Sequence, residues 1–353
     1  MPTRARLDAL AARSGLTPPC VATGAPLRFR TRARLAVRGR AASPKVGIFQ
    51  AGSHRIADIP RCGIHHPRIN EVAAALRRAV RETGVAPGSD SSHGGVLRYL
   101  QVAVERASGR AQVVLVGNCE DPEPLAPVFA ALTRELGDRL QGLFWNGNTA
   151  RGNAILGPRW ERIAGEEALR EVVGEVAVFH PPGAFGQSHP EGFESLALAA
   201  RAAVPEGAHA LELYAGSGAI GLGLLGRARS VALNELSPDG LRGLELGLEA
   251  RPEAELARAV VLPGDASVHA ARIRHADAVV VDPPRRGLDR AVLDAVVEHP
   301  PETLVYVSCG LDSLERDTAR LLSSGRFALR SLAAWDLFPY TEHVETLAVF
   351  KAV

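Results

Sequence analysis

The sequence predicts an α/β chain in two parts. Residues 1–190 form an N-terminal α+β domain, and residues 191–353 form a doubly wound domain whose mostly parallel sheet ends in an antiparallel hairpin. Three observations predict this. A chain of 353 residues is longer than one typical core supports. The run EVAVFHPPGAFGQSHPEG, Glu175 to Gly192, is rich in Gly and Pro and separates two different patterns. From Phe193 onward, apolar strands alternate with helical stretches, and each strand ends on polar residues, as open α/β sheets do around a ligand crevice.

In the first part, LRFRTRARLAV (Leu27 to Val37) alternates, with Leu27, Phe29, Leu35 and Val37 on one face and arginines on the other. That pattern is a half-buried strand with a basic surface. Val46 to Phe49 and the Gly52–Ser53 turn predict a paired strand, and Pro67 precedes a helix, Ile69 to Arg81, with Val72, Leu76 and Val80 at helical spacing. Leu97 to Val104 and Ala111 to Val116 bracket Ser108–Gly109 as a β-hairpin. Pro124 opens a helix, Leu125 to Leu140, and Leu143 to Trp145 returns to strand. WNGNTARGNAILG is a loop holding a short strand at Ala154 to Leu156.

In the second part, Phe193 to Ala203 is a helix and His209 to Tyr214 a strand that ends on Ala215-Gly216-Ser217-Gly218. Ser230 to Leu233 ends at Asn234-Glu235, Ala259 to Leu262 at Gly264-Asp265, and Ala276 to Val281 at Asp282-Pro283-Pro284-Arg285. Leu304 to Val307 ends at Ser308-Cys309, and Asp312 to Leu322 is a helix. Phe327 to Ala334 and Val344 to Phe350 are the hairpin, expected on the sheet edge.

The hydrophobic share of 46% and charged share of 23% are those of a soluble globular protein. No apolar run is long enough to span a membrane without interruption, and MPTRARLDALAARSG lacks the apolar core of a secretory signal. The expected compartment is the cytoplasm, and the expected state a monomer without membrane partners. Cys20, Cys62, Cys119 and Cys309 lie far apart with no CxxC pair, so no metal site, iron–sulfur cluster or disulfide framework is expected. The net charge of +2 hides an asymmetry: only Asp8 and Asp58 oppose the many arginines of the first 60 residues. A preference for Arg over Lys explains the residue type but not the scarcity of acid. A polyanion such as nucleic acid is the predicted partner.

Gly216-Ser217-Gly218-Ala219-Ile220-Gly221 fits GxGxxG between a strand and a helix, and Glu235 ends the next strand where it can hold ribose hydroxyls. Alone this suits NAD, and an NAD-dependent oxidoreductase is one alternative. Two features favour S-adenosylmethionine: Glu212 inside the strand just before the glycine loop and Tyr214 at its rim, neither of which a pyrophosphate needs, and Asp282-Pro283-Pro284 at a strand end.

Together the segments resemble the S-adenosylmethionine-dependent RNA (uracil-5-)methyltransferases, from about Arg28 onward. AFGQ resembles the family's F-x-Q, LELYAGSG its glycine loop, VVVDPPRRGLD its DPPR-G segment, YVSCGLDSLERD the segment bearing its nucleophilic cysteine, and DLFPYTEHVETLAVF the one bearing its glutamate. The resemblance implies a class I methyltransferase fold, Rossmann-like, in the second part. It implies a donor site of Gln187, Tyr214, Gly216, Gly218, Glu235, Asp265 and Asp282, with Cys309 as nucleophile, Glu345 as general base and Asp282 beside them. Arg285 or Gln187 would balance the enolate that forms. The substrate would be ribosomal or transfer RNA presenting a flipped or looped-out uridine. By charge rather than motif, Arg28, Arg30, Arg32 and Arg34 would hold its phosphates, and Arg285 is a further expected RNA-binding residue.

The chain departs from many relatives in Gly310-Leu311 after the cysteine, in Gly186 and Ala219, and in lacking the iron–sulfur cysteine cluster and the length for an N-terminal RNA-binding barrel. Rival readings are a non-catalytic RNA-binding protein, which needs Cys309 and Glu345 to be inert, and a cytosine C5 enzyme, against which the DPPR and HVE segments speak.

Overall fold

The computed structural model describes residues 2–53, 55–89 and 94–353. The chain opens with helix α1 (Pro2–Arg13) and strand β1 (Val21–Thr23). Then come β2 (Arg32–Arg40), β3 (Ser43–Phe49), β4 (Ile56–Asp58), α2 (Pro67–Thr83), β5 (Leu97–Val104) and β6 (Ala111–Gly117). They are followed by α3 (Ala126–Leu136), β7 (Leu140–Gly147), β8 (Arg159–Gly165), β9 (Leu169–Val173) and β10 (Val176–His180). The remainder begins with α4 (Pro190–Ala203), β11 (His209–Leu213), β12 (Ser230–Glu235), α5 (Pro238–Glu249), α6 (Glu253–Leu256) and β13 (Ala259–Pro263). It closes with β14 (Ala278–Val281), α7 (Arg290–Glu298), β15 (Thr303–Ser308), α8 (Leu311–Ser323), β16 (Phe327–Asp336) and β17 (Glu345–Ala352).

Two compact units result. One holds Ala25–Glu171 and His180–Ser188; the other holds Met1–Gly24, Val172–Phe179 and His189–Val353. This differs from one boundary at residue 190, because residues 1–24 and 172–179 group with the C-terminal part. Helical spacing explains the first segment: Leu7, Leu10 and Ala11 of α1 are buried with Tyr306 and Phe350. β1 then adds in parallel to β16, pairing Val21 with Ala334. The hairpin of β16 and β17 is antiparallel as predicted, but β1 rather than the hairpin forms the edge.

The first unit is a seven-stranded sheet in the order β4-β3-β2-β5-β6-β7-β8. The Ala111 strand pairs antiparallel with β5, the predicted hairpin. α2 starts at Pro67, stops at the left-handed Gly84, and buries Ile69, Val72, Leu76 and Val80 on one side. The helix predicted to reach Leu140 ends at Leu136, since Gly137 takes φ +50°, and β7 begins at Leu140. Ala154 to Leu156 forms no strand: the Asn148 side-chain amide donates to the carbonyls of Ala154 (2.7 Å) and Ile155 (3.0 Å) and holds a loop there.

The second unit carries the sheet β1-β16-β17-β15-β14-β11-β12-β13. β11 pairs in parallel with β12 on one side and β14 on the other, so the strand order reverses between β11 and β14. A crevice opens at the carboxyl ends of strands at such a switch point. The strands are apolar runs because both faces are covered. One face buries Leu196, Ala200 and Leu244 of α4 and α5; the other buries Val292, Leu314 and Leu321 of α7 and α8. Among the described residues no helix is long and apolar enough to cross a membrane.

Candidate active site

Five strand ends of the second unit converge on the switch point. After β11 the chain turns through Tyr214 (φ +63°), Gly216 (φ +57°) and Gly218 (φ +80°), three residues in the left-handed region. At Gly218 a side chain would strike Leu244 and Leu222, and only glycine fits. Tyr214 has no such licence, and its conformation is disfavoured for a bulky residue. Its phenol donates to the Asp289 carboxylate (3.0 Å), which also pairs with Arg286 (2.9 Å), and burial together with that carboxylate raises its pKa. Thus a contact from the loop after β14 holds the turn after β11.

Glu235, at the end of β12, accepts hydrogen bonds from the backbone N–H groups of Gly216 (2.7 Å) and Ser237 (2.6 Å), one per carboxylate oxygen. Each oxygen keeps lone-pair capacity for a hydroxyl donor. A side chain at Gly216 would meet nothing within 4 Å, so the turn has open space above it. Asp265, after β13, accepts from the Ser267 N–H (2.8 Å) and hydroxyl (2.6 Å), which lower its pKa. Beneath the turn, Glu212 is buried and accepts from the Gly221 N–H (3.0 Å). Burial pushes its pKa up to about 8, Asp282 adds to the rise, and Arg201 opposes it.

Asp282 follows β14, Cys309 follows β15 and Glu345 begins β17. β15 and β17 pair antiparallel, with Ser308 opposite Thr346, so Cys309 and Glu345 each stand one residue beyond that pair. Glu345 is buried, 2% exposed, and Cys309 is half-buried. Enclosure by protein raises Asp282 to about 7. Burial pushes the Cys309 thiol up to about 11; the charges of Glu345 and Asp282 contribute, and Arg285 pulls the other way. The Ser308 hydroxyl and Gly310 then shape the entry to α8, whose N-terminus lies just past the sulfur (Gly310 N–H to Ser308 Oγ, 3.2 Å). A thiol, two carboxylates and a guanidinium thus act on one another at adjoining strand ends.

The structure brings together Tyr214, Gly216, Gly218, Glu235, Asp265, Asp282, Arg285, Cys309 and Glu345. Gln187 and the N-terminal arginines belong to the other unit. There Arg28 is exposed with φ +58°, and Arg30 is half-buried and donates to the Arg32 carbonyl (3.0 Å). The Arg32 guanidinium lies over Gly186, where any side chain would collide with it, and burial lowers its pKa to about 10 while Glu171 opposes the shift. Arg34 is exposed and donates to Gln101 (2.6 Å).

Sequence reasoning missed Asp289 and Asp317. Asp317, fully buried in α8, accepts from the Leu288 N–H (3.0 Å) and the Tyr306 hydroxyl (2.8 Å), and Arg316 pairs with it (2.8 Å). It ties the loop after β14 to β15 and α8, the three pieces that carry Asp282 and Cys309. The signal was its place on the apolar stripe of α8, three residues after Leu314 and four before Leu321. Asp317→Ala leaves a buried hydroxyl and a buried N–H without an acceptor, and should lower unfolding stability by about 2–4 kcal/mol in urea titration. An unchanged midpoint would show that the loop is held by other contacts.

A parallel sheet with this strand order, glycine turn and ring of strand-end acids defines a class I methyltransferase. Residues 272–352 match the family model for tRNA (uracil-5-)-methyltransferases. An uncharacterized RNA methyltransferase of Protochlamydia amoebophila is 33% identical over 339 residues, 94% of this chain and 88% of that protein. The chain belongs to the RNA (uracil-5-)methyltransferase family. An uncharacterized RNA methyltransferase of Gloeobacter violaceus is 32% identical over 339 residues, 94% of this chain and 72% of that protein. Among solved structures, the tRNA (uracil-54, C5)-methyltransferase of Pyrococcus abyssi with S-adenosyl-L-homocysteine matches the fold with a TM-score of 0.80 at 22% identity, over 99% of this chain and 81% of that one. The oxidoreductase alternative falls away with that membership.

Proposed function

We propose that the protein methylates C5 of a uridine in RNA, with S-adenosylmethionine as donor and Cys309 as a transient nucleophile. The observation that carries this reading is the grouping of Cys309, Asp282 and Glu345 at neighbouring strands, with β14 beside β15 and with Cys309 and Glu345 each one residue beyond the Ser308–Thr346 pair. The residues present suit the donor. Glu235 has lone pairs for a ribose diol, Asp265 an acceptor for an exocyclic amine, and the open space above Gly216 admits a nucleoside. Tyr214 and Asp282 border the same turn. Gln187 is assigned to the donor site by resemblance. When bound, S-adenosylmethionine supplies an electrophilic methyl group on a positively charged sulfur.

Uracil C5 is a weak nucleophile until C6 is attacked. The Cys309 thiolate adds to C6, forming a C–S bond and moving the ring electrons to an enolate centred on C5 and O4. Arg285, already acting on the thiol, offsets that negative charge. Once C5 carries the methyl group, Glu345 takes the C5 proton, the C–H electrons re-form the C5–C6 double bond, and the C6–S bond breaks to return the thiolate. The base must leave its stack to expose both faces, so a flipped or looped-out uridine is the expected substrate. The first unit, with the exposed Arg28 and Arg34, is the proposed RNA-contacting part, and the second the catalytic part.

Nucleoside mass spectrometry of separated transfer and ribosomal RNA, from cells with and without the gene, tests the reading. One 5-methyluridine should disappear from one fraction; unchanged 5-methyluridine in both would defeat it.

The Asp282 carboxyl, at about 7, makes donor binding pH-dependent. A cation favours the ionised carboxylate, so below pH 7 binding must first displace a proton. Affinity for S-adenosylmethionine should therefore rise up to about tenfold per pH unit between pH 5.5 and 7 and level off by pH 8. Calorimetry in buffers of different ionisation enthalpy should detect proton release near pH 6.5, and binding without it would remove Asp282 from the donor site.

A further inference from the structure

Within the first unit, β2, β3 and β5 bury Leu35, Val37, Val46, Leu100 and Val102 in the core shared with α2 and α3. By strand alternation, the opposite face carries Arg34, Arg38, Phe49 and Tyr99. That face, with the loop around Arg151, forms a groove of about 750 Å³. Among its described lining residues are four arginines (Arg34, Arg38, Arg98 and Arg151) and no carboxylate.

The floor of the groove is built from stacked planes. The Arg38 guanidinium lies 5.2 Å from the centre of the Phe49 ring and 5.1 Å from that of Tyr99, and Arg98 lies 5.8 Å from Tyr99 on the same ring. Arg38 is 7% exposed and is fixed by the carbonyls of Val37 (3.0 Å) and Arg98 (2.7 Å). Arg98 in turn holds the loop through the carbonyls of Asn148 (2.7 Å) and Ala150 (2.9 Å). Arg151 stands exposed on that loop, and Asn118 contributes an amide at the groove wall.

We propose that this groove binds an unpaired segment of the RNA substrate, separate from the uridine that is methylated. The inference rests on the reading of the protein as an RNA enzyme. Three features select this occupant. Rings and guanidinium planes on an open sheet face are surfaces on which nucleobases stack. Four arginines with no acid among the described lining residues match a phosphate backbone rather than an apolar or cationic partner. A groove of this volume suits about two nucleotides, whereas a duplex keeps its bases stacked and offers no π-face.

The test uses the full chain, a fluorescein-labelled single-stranded RNA of about twelve nucleotides and its duplex, with affinity read by anisotropy at several salt concentrations. Arg151→Glu lies on an exposed loop and should weaken single-strand binding about tenfold and lower the salt slope by about one. Tyr99→Leu keeps apolar bulk but loses the ring; it should weaken binding about tenfold at an unchanged slope. Both variants should bind S-adenosylmethionine as the parent does. The proposal is overturned if both bind RNA within twofold of the parent, or if duplex binds as tightly as single strand. It is equally overturned if polyglutamate displaces the RNA at equal charge concentration, which would assign the groove to an acidic protein segment. Because the readout needs no turnover, a groove that fails in an enzyme still forming 5-methyluridine sinks only this inference.

Discussion

With Cys309 replaced by alanine, methyl transfer to RNA should fall by about 10⁴-fold or more while affinity for S-adenosylmethionine stays within about twofold. The size of the effect follows from the chemistry of the base. Without addition at C6 there is no enolate, and C5 keeps the poor nucleophilicity of a conjugated lactam. No other thiol substitutes, since Cys309 is the cysteine at these strand ends. The fold should tolerate the change: the thiol is half-buried, and its removal leaves the Ser308–Gly310 contacts and the β15–β17 register in place. Turnover is best read with a methyl-tritiated donor, and binding by calorimetry. More than about one part in a hundred of the parent rate in the alanine variant would mean that sulfur is not the nucleophile.

Glu345→Gln should give the opposite phenotype, accumulation rather than absence. Addition and methyl transfer need no base at C5, but elimination does. The amide is nearly isosteric and Glu345 is buried at the start of β17, so the pocket keeps its shape while losing its proton acceptor. Incubation with RNA and donor should leave a band of RNA joined to protein that survives denaturing electrophoresis, with the methyl label in it. Release of product should be slowed by about 10³-fold. The double variant with Cys309→Ala should show no such band, which locates the bond on that sulfur. If the glutamine variant turns over normally, the base has been assigned to the wrong carboxylate.

Much of the second unit was legible because parallel strands buried on both faces write apolar runs, and their polar ends punctuate the text. Asp282, Glu235, Asp265 and Cys309 all stand where such a run stops. Less legible was anything whose partner is distant in sequence. β1 is three residues long, and only its pairing with β16 makes it a strand. α1 hides a narrow apolar stripe among arginines, so its charge was read before its periodicity. Alternation marked the arginines of β2 as one surface, but could not tell that Arg38 would be sandwiched between rings while Arg34 stayed exposed. For the acids the limit was different: only the three-dimensional position distinguishes Asp317, which ties a loop, from Asp282, which ends β14.

Burial pushes the Cys309 thiol up to about 11, an unusual setting for the nucleophile proposed above, and one that bears on its reactivity. At neutral pH such a thiol is ionised in a far smaller fraction of molecules than a free cysteine is. Peroxides and alkylating electrophiles react with thiolates, so Cys309 should react with them more slowly than a free cysteine does, which iodoacetamide labelling followed by peptide mass spectrometry would check. Burial first, and the nearby charges of Glu345 and Asp282 after it, hold the Cys309 sulfur in its protonated form.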